Sequence, residues 1–391
     1  MWSSPLEHWA LDPAVRHLNH GAWGACPRAV LDAAEATRRR VEASPMRFYV
    51  LDWQRELDAA RARAAAFVGA PAERFAFVPN ATTGVAIAVA SAELADGDEI
   101  LATDHAYRAC KNQLARAAAR TGARIAIAEL PLPFDPDAAA DAIARATTAR
   151  TRLVLLDHVT SPTAVVLPLD RILPPLAARG VQIIVDGAHG PGQLALDVGR
   201  LLEHGVGWYA GNHHKWMCAP KSTGFLVASA AMAARTLPLV TSHGASPEFG
   251  PPNRFHALFD WAGTRDLAQH LAVPIAIDEV ARLGGGDWAQ IRARNHALAL
   301  AMRQVFLDAG ATRLAPDDAI GSMATIPIEL PANTTALALQ EQLLRAGWET
   351  PIVPWPPPGG PLVRVCAHLY NDVAQAEALL AELRARGVRL R

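Results

Sequence analysis

The sequence predicts an α/β fold in which a mainly parallel sheet is covered by helices on both faces and is followed by a smaller α+β unit. Three observations carry this expectation. Short apolar runs alternate with alanine-rich helical segments between residues 99 and 229, the pattern of parallel strands joined by crossover helices. The 391 residues suit one large α/β domain with a smaller appendage, or two or three domain-sized units. Near Gly284 the composition shifts, and the segments beyond it read as fewer strands between longer helices.

Taken in order, LNHGAWGACP (18–27) is polar and glycine-rich, and Pro27 introduces an amphipathic helix over about 28–42. A second helix covers about 54–68. FAFVP is then a short strand, and NATTG opens a helix with Thr82 and Thr83 at its start, where Thr and Asn commonly cap without any ligand. The runs EILAT (99–103), RIAIAEL (124–130), RLVLLDHV (152–159), VQIIVD (181–186), GWYAG (207–211) and GFLVAS (224–229) are the strands, with helices at about 106–120 and 137–146 between them. Ligands of such sheets bind at the carboxyl ends of the strands. Helices at 288–309, 335–346 and 372–387 alternate with strands in SMATIPIEL and LVRVCAHLY, and PWPPPGGP (354–361) is too rich in proline and glycine for a central strand, so it reads as a rim loop. The expected units are an N-terminal segment 1–27, a large domain 28–283 and a small domain 284–391.

The formal net charge is −1, with Lys and Arg dispersed. That leaves no surface for nucleic acid or an anionic membrane and favours a small-molecule partner. The N-terminus has neither a basic n-region nor an unbroken apolar h-region, and the longest apolar run is too short to span a bilayer, so a cytoplasmic protein is expected. Cys26, Cys110, Cys218 and Cys366 lie far apart with no CxxC spacing. This argues against a zinc knuckle, a redox pair or a disulfide framework, and for small buried hydrophobes.

Chemistry concentrates in residues 181–227. Asp186 ends an apolar run, His189 follows it, and Lys215 stands between His214 and Trp216. A lysine amine can form a Schiff base with an aldehyde, and a buried carboxylate can keep a pyridine nitrogen protonated so that the ring accepts electrons. Those are the needs of pyridoxal phosphate, with Lys215 as the Schiff-base residue. GPGQLA (190–195) formally satisfies a dinucleotide fingerprint, yet no acidic residue closes a second strand to hold a ribose. His17 and His20, or His213 and His214, suggest a metal, but no HExxH or supporting carboxylate accompanies them. No metal is expected.

VDGAHGPG and GNHHKWMCAPKSTGFL, in this order and spacing, resemble the class V aminotransferase family of fold-type I pyridoxal phosphate enzymes, most closely its isopenicillin N epimerase-like branch. The likeness runs from about Leu18 to Asp372. It implies a seven-stranded-type sheet in the large domain, an N-terminal segment that lines the active site and packs on the small domain, and a homodimer with a shared active site. By the same resemblance Asp186 serves the pyridine nitrogen and Lys215 is the base. NATTG looks like the phosphate loop, so Thr82 and Thr83 are carried over with His214, and Thr264 in FDWAGTRD supplies a hydroxyl to the neighbouring subunit's phosphate. His105 in TDHAYRAC is the ring expected to stack on the cofactor, with Tyr107 a close competitor and a candidate substrate contact. DHVTSPTA places Ser161, together with His189, on the phenolic oxygen. LNHGAWG offers Asn19 and His20 as substrate contacts, with Arg47 a weaker one, and VRVCAHLYN puts Arg364 on the substrate α-carboxylate. Ala164 and Ser222 stand where the family has glycine.

The resemblance also implies action at the Cα of an amino acid, with epimerisation or racemisation first. C–S β-elimination of a cysteine conjugate and transamination are the alternatives. Residues 351–361 contain no cysteine to carry a persulfide, which excludes persulfide-based desulfuration. A catalytically silent cofactor-binding protein is a third reading, opposed by the joint presence of Asp186, Lys215 and Arg364.

Overall fold

The computed structural model describes residues 5–246, 248, 253–356 and 360–391. Its centre is a seven-stranded sheet in the order β2-β8-β7-β6-β5-β3-β4. The strands are β2 (Phe75–Val78), β3 (Glu99–Thr103), β4 (Arg124–Ala128), β5 (Thr151–Asp157), β6 (Gln182–Gly187), β7 (Val206–Asn212) and β8 (Gly224–Ala228). Pairs β4/β3, β3/β5, β5/β6 and β6/β7 are parallel, while β8 runs antiparallel to both β7 and β2. The sheet anticipated from alternating apolar runs is therefore the one that forms.

These strands read as continuous apolar runs because both faces are covered. Successive side chains point to opposite faces. Ile100, Leu153, Leu155, Ile184, Trp208 and Leu226 pack with Val85 and Ala88 of the helix Ala81–Ser91 and with Cys110 and Leu114 of the helix Arg108–Thr121. Leu101, Val154, Leu156, Ile183, Val185 and Val227 point the other way, into a core that holds Leu57, Leu173 and Ile277. Strands β4 and β5 stop short of the apolar runs that announce them. The chain after β4 turns so that Leu130 N–H meets the Asp104 carboxylate at 3.0 Å, and the chain after β5 folds into a loop closed by Thr160 on Val165. The helix Val273–Leu283 is absent from the sequence expectation. Pro274 looks like a break there, but it sits in the first turn, where no N–H is needed.

A second sheet is antiparallel, in the order β11-β12-β9-β13, and contains β9 (Met323–Glu329), β11 (Ile352–Val353), β12 (Leu362–Cys366) and β13 (Arg389–Leu390). The helices Trp288–Asp308, Ala336–Arg345 and Val373–Ala385 accompany it. Near the N-terminus, β1 (Arg16–His17) pairs in parallel with β10 (Trp348–Glu349). This pairing anchors the glycine-rich opening segment to the C-terminal third of the chain. The proline-rich rim loop is only partly described, since residues 357–359 lie outside the described residues. All four cysteines are free and buried. Among the described residues no helix is long and apolar enough to cross a membrane.

One buried ion pair ties the outer helices together. Arg61 on the helix Trp53–Phe67 donates to Asp260, at the end of the helix Arg254–Asp260, at 2.6 Å, with both side chains 2% exposed. Burial pushes the Asp260 carboxyl up to about 6 against the pull of Arg61. Removing one partner strands the other charge in a dry site. Arg61→Met is accordingly expected to cost about 3–5 kcal/mol of stability, read as a lowered urea midpoint.

Candidate active site

The carboxyl ends of β5, β6 and β7 and the start of the helix Ala81–Ser91 enclose a cavity of about 210 Å³. Its border includes Asp157, Asp186, His189, Asn212, His214 and Lys215. Lys215 lies in a tight turn in which Cys218 N–H bonds the Lys215 carbonyl at 3.0 Å and Ala219 N–H bonds the His213 carbonyl at 3.1 Å. The N-terminal segment presses on this turn. His20 Nε2–H donates to the Lys215 carbonyl at 3.0 Å, while its Nδ1 accepts from the Tyr370 hydroxyl at 2.6 Å. A Cβ on Gly24 would lie 2.4 Å from the Lys215 carbonyl oxygen, and one on Gly192, at φ +82°, would lie 2.6 Å from the Trp216 carbonyl carbon. The glycine of the apparent dinucleotide fingerprint thus serves close packing against the lysine turn.

The Lys215 amine lies 3.1 Å from His189 Nε2, and Trp216 Nε1–H points at His189 Nδ1 at 3.3 Å. Indole N–H can only donate, so a neutral His189 carries its proton on Nε2 and offers it to the amine lone pair. Burial, then Lys215, holds His189 well below the ordinary histidine range. Burial also brings the Lys215 amine down to about 8, against the opposing pull of Asp186. His189 is therefore neutral, and the Lys215 amine loses its proton far more readily than an exposed lysine does. Asp186 is gripped on both oxygens, by Ala188 N–H at 3.0 Å and by the Cys110 thiol at 3.0 Å.

At the other end of the cavity, Asn80 caps the helix by accepting from Thr83 N–H at 2.9 Å, and Asn212 accepts from Ala81 N–H at 2.8 Å. Thr82 borders the cavity. An eleven-residue helix begun in this way presents the positive end of its dipole to an anion. His214 borders the same end, donates from Nδ1 to the Thr223 carbonyl at 2.8 Å, and is held at about 4 by burial.

The structure does not bring all of the expected site residues to this cavity. Thr83 spends its N–H and its hydroxyl on Asn80 and faces a neighbouring cavity of about 270 Å³ beside Arg116 and Arg120. His105 is 0% exposed, pairs with the Thr163 hydroxyl at 2.7 Å and meets Trp355 edge-on. A ring with no open face cannot stack on a ligand, and the planar side chain that does border the cavity is that of Tyr107, 44% exposed. His20 is buried behind the lysine turn rather than open to a substrate, stacked on His368 at 3.9 Å. Asn19 accepts from Arg364 Nη2 at 3.2 Å, and the parts of the opening segment that border the cavity are Ala22 and Trp23. Arg364 donates from Nη1 to the Ser161 carbonyl and hydroxyl, and its buried Nε has no acceptor. Ser161 itself borders the cavity. Thr264 is exposed and outside the cavity lining of this chain, and Arg47 ion-pairs with Asp52 at the surface. Ala164 and Ser222, where the resemblance places glycine, adopt left-handed backbone at φ 61° and 66°. Asp157, Asn212 and Trp23 had no assigned role in the sequence reading, although all three lie inside its quoted motifs.

His20, Cys218 and His368 bring potential ligand atoms close together. Their imidazoles, however, already hold the backbone of Lys215 and Trp216.

An amine held near neutrality, a carboxylate across the cavity and a helix N-terminus at its far end match the aldehyde, ring nitrogen and phosphate of pyridoxal 5'-phosphate. This set on this fold defines a pyridoxal-phosphate-dependent enzyme. The chain belongs to the aminotransferase class-V family, whose pattern it matches over residues 18–376. It is 35% identical to an isopenicillin N epimerase of Amycolatopsis lactamdurans, with 98% of each chain covered. It is 34% identical to a putative L-cysteine desulfhydrase of Oryza sativa, over 81% of this chain and 67% of that one. Among solved structures, the cystine C-S lyase C-DES has the same fold, with a TM-score of 0.81, 23% identity, and 94% and 96% of the two chains covered.

Two measurements test this geometry. The Lys215 amine is neutral above its lowered pKa of about 8, so condensation of apo-protein with pyridoxal phosphate, followed by absorbance, is expected to accelerate with a midpoint near there rather than near 10.5. The Lys215→Ala protein should show no such signal. Gly24→Ala forces backbone atoms apart at the lysine turn, which is expected to weaken cofactor affinity by about tenfold or more in an absorbance titration, with far-UV circular dichroism unchanged.

Proposed function

We propose that the protein acts at the Cα of an amino acid, as an epimerase or racemase of the isopenicillin N epimerase type. The observation that carries this is the Lys215 amine, poised near neutrality beside neutral His189, in a chain alignable end to end with such an epimerase. When bound, the cofactor supplies an electron sink that stabilises negative charge at Cα. Lys215 Nζ takes the Cα proton, because an amine with a lowered pKa is an effective base near neutral pH, and return of a proton to the opposite face of Cα completes the epimerisation. Asp186 would balance positive charge on the cofactor's ring nitrogen, and Tyr107, which borders the same cavity, would help to hold the ring. Thr82, the helix N-terminus and His214 hold the phosphate, with Thr264 contributed by a second copy in a homodimer. Arg364, steadied by Ser161 and Asn19, binds the substrate carboxylate as a bidentate fork. A large unit 28–283, a small unit 284–391 and a cytoplasmic setting complete the proposal, and four unpaired cysteines fit the last of these.

C–S β-elimination is a second reading. It is favoured by the likeness to the rice protein named as a desulfhydrase and by the free choice the geometry leaves after the Cα proton is taken. Holo-protein given L-amino acids and cysteine conjugates in D2O separates the two by proton NMR and chiral analysis. Exchange of the Cα hydrogen with appearance of the D-form is the expected result. Pyruvate and ammonia would mean that the second reading holds.

A further inference from the structure

Asp157 ends β5 directly beside Asp186 on β6, as its register partner in a parallel pair. Neighbouring strands lie only about 4.8 Å apart, so the two carboxyl groups share one small volume, and both border the cofactor cavity. Asp157 is 3% exposed, and its Oδ2 has no hydrogen-bond partner. Among the described residues neither carboxylate is in an ion pair. Two bare negative charges cannot stand this close in a dry site, and one proton must stay with the pair.

The partners decide where it stays. Asp186 receives a donor on each oxygen, Ala188 N–H and the Cys110 thiol. Burial and Asp186 keep that thiol protonated. Asp157 is hydrogen-bonded by backbone at Tyr107 and leaves Oδ2 bare. The surrounding titratable groups do not supply a countercharge in contact. Lys111 on the neighbouring helix pulls the Asp157 carboxyl down but is engaged with the Asp104 carbonyl at 3.0 Å, the Lys215 amine lies against His189 at 3.1 Å, His189 favours neutrality, and Tyr107 offers only its backbone. Burial, and then Asp186, accordingly hold the Asp157 carboxyl well above its ordinary range.

We propose that Asp157 is a second acid of the cofactor site, neutral beside an ionised Asp186, presenting its otherwise unpartnered oxygen as a hydrogen-bond donor to the bound cofactor. The pair then holds one negative charge in all, and it lies on Asp186, where the ring nitrogen requires it. The inference rests on the reading of this cavity as the pyridoxal phosphate site.

Infrared spectra of the holo-protein labelled with ¹³C-aspartate, recorded well above the Asp260 value of about 6, test it without a variant. A carbonyl stretch of a protonated aspartic acid that shifts in D2O is expected, and its absence would overturn the proposal. Asp157→Asn, which keeps a neutral donor, should retain cofactor affinity within about threefold and abolish that band. Asp157→Ala, which removes the donor, should loosen the cofactor by about tenfold, as loss of one hydrogen bond does. A band that persists in Asp157→Asn would show that the proton is not on Asp157, and loss of the long-wavelength cofactor absorption in Asp157→Asn to the extent expected of Asp186→Asn would place the charge on Asp157; either result sinks the assignment. Failure of the unmodified protein to bind pyridoxal phosphate would instead overturn the cofactor reading itself.

Discussion

Everything the site does depends on how the turn carrying Lys215 is held. A lysine side chain is long and flexible, so its amine can be aimed only if its backbone is immobile. Here the carbonyl of Lys215 receives His20 Nε2–H on one side and Cys218 N–H on the other. His20 is itself oriented by the Tyr370 hydroxyl and stacked against His368. Gly24 and Gly192 let two separate segments approach the turn more closely than any side chain would permit. Tyr370 and His368 come from the C-terminal third, and the β1/β10 pairing brings the N-terminal segment there. Three distant parts of the chain thus converge behind one residue.

Desolvation then sets the charges. For Lys215, His189 and Asp157 alike, burial is the largest influence and each moves toward its neutral form. Asp186 differs in its partners, with a donor on each oxygen. A cavity whose polar groups are already held by fixed partners is pre-organised for a charged ligand. The backbone stores some strain nearby. Ala164, Cys218 and Ser222 adopt positive φ, where a side chain costs roughly 1–2 kcal/mol, and all three lie in the loops that frame the cavity.

Much of this was legible beforehand, because a parallel sheet buried on both faces writes itself as uninterrupted apolar runs, and because Asp186 and Lys215 sit in motifs whose residue types have few other uses. The choice between His105 and Tyr107 was not legible. Both are planar, both follow β3, and only the fold buries one against Thr163 and Trp355 while leaving the other open. His20 was misplaced for a related reason: a histidine in a glycine-rich opening looks like a ligand contact until its partners prove to be a backbone carbonyl and a tyrosine.

Asp157 shows the limit most clearly. Its position at the end of an apolar run was evident, but its meaning comes from Asp186 beside it, a neighbour created by strand register rather than by sequence proximity. The sequence by itself determined the layered α/β architecture and singled out Lys215 and Asp186, which the structure brings to one cavity, because periodicity and residue chemistry are local properties. Tertiary structure alone decided which histidines are buried props, which ring faces the cavity and which of two adjacent acids keeps its proton, because those depend on solvent exclusion and on contacts between residues far apart in the chain.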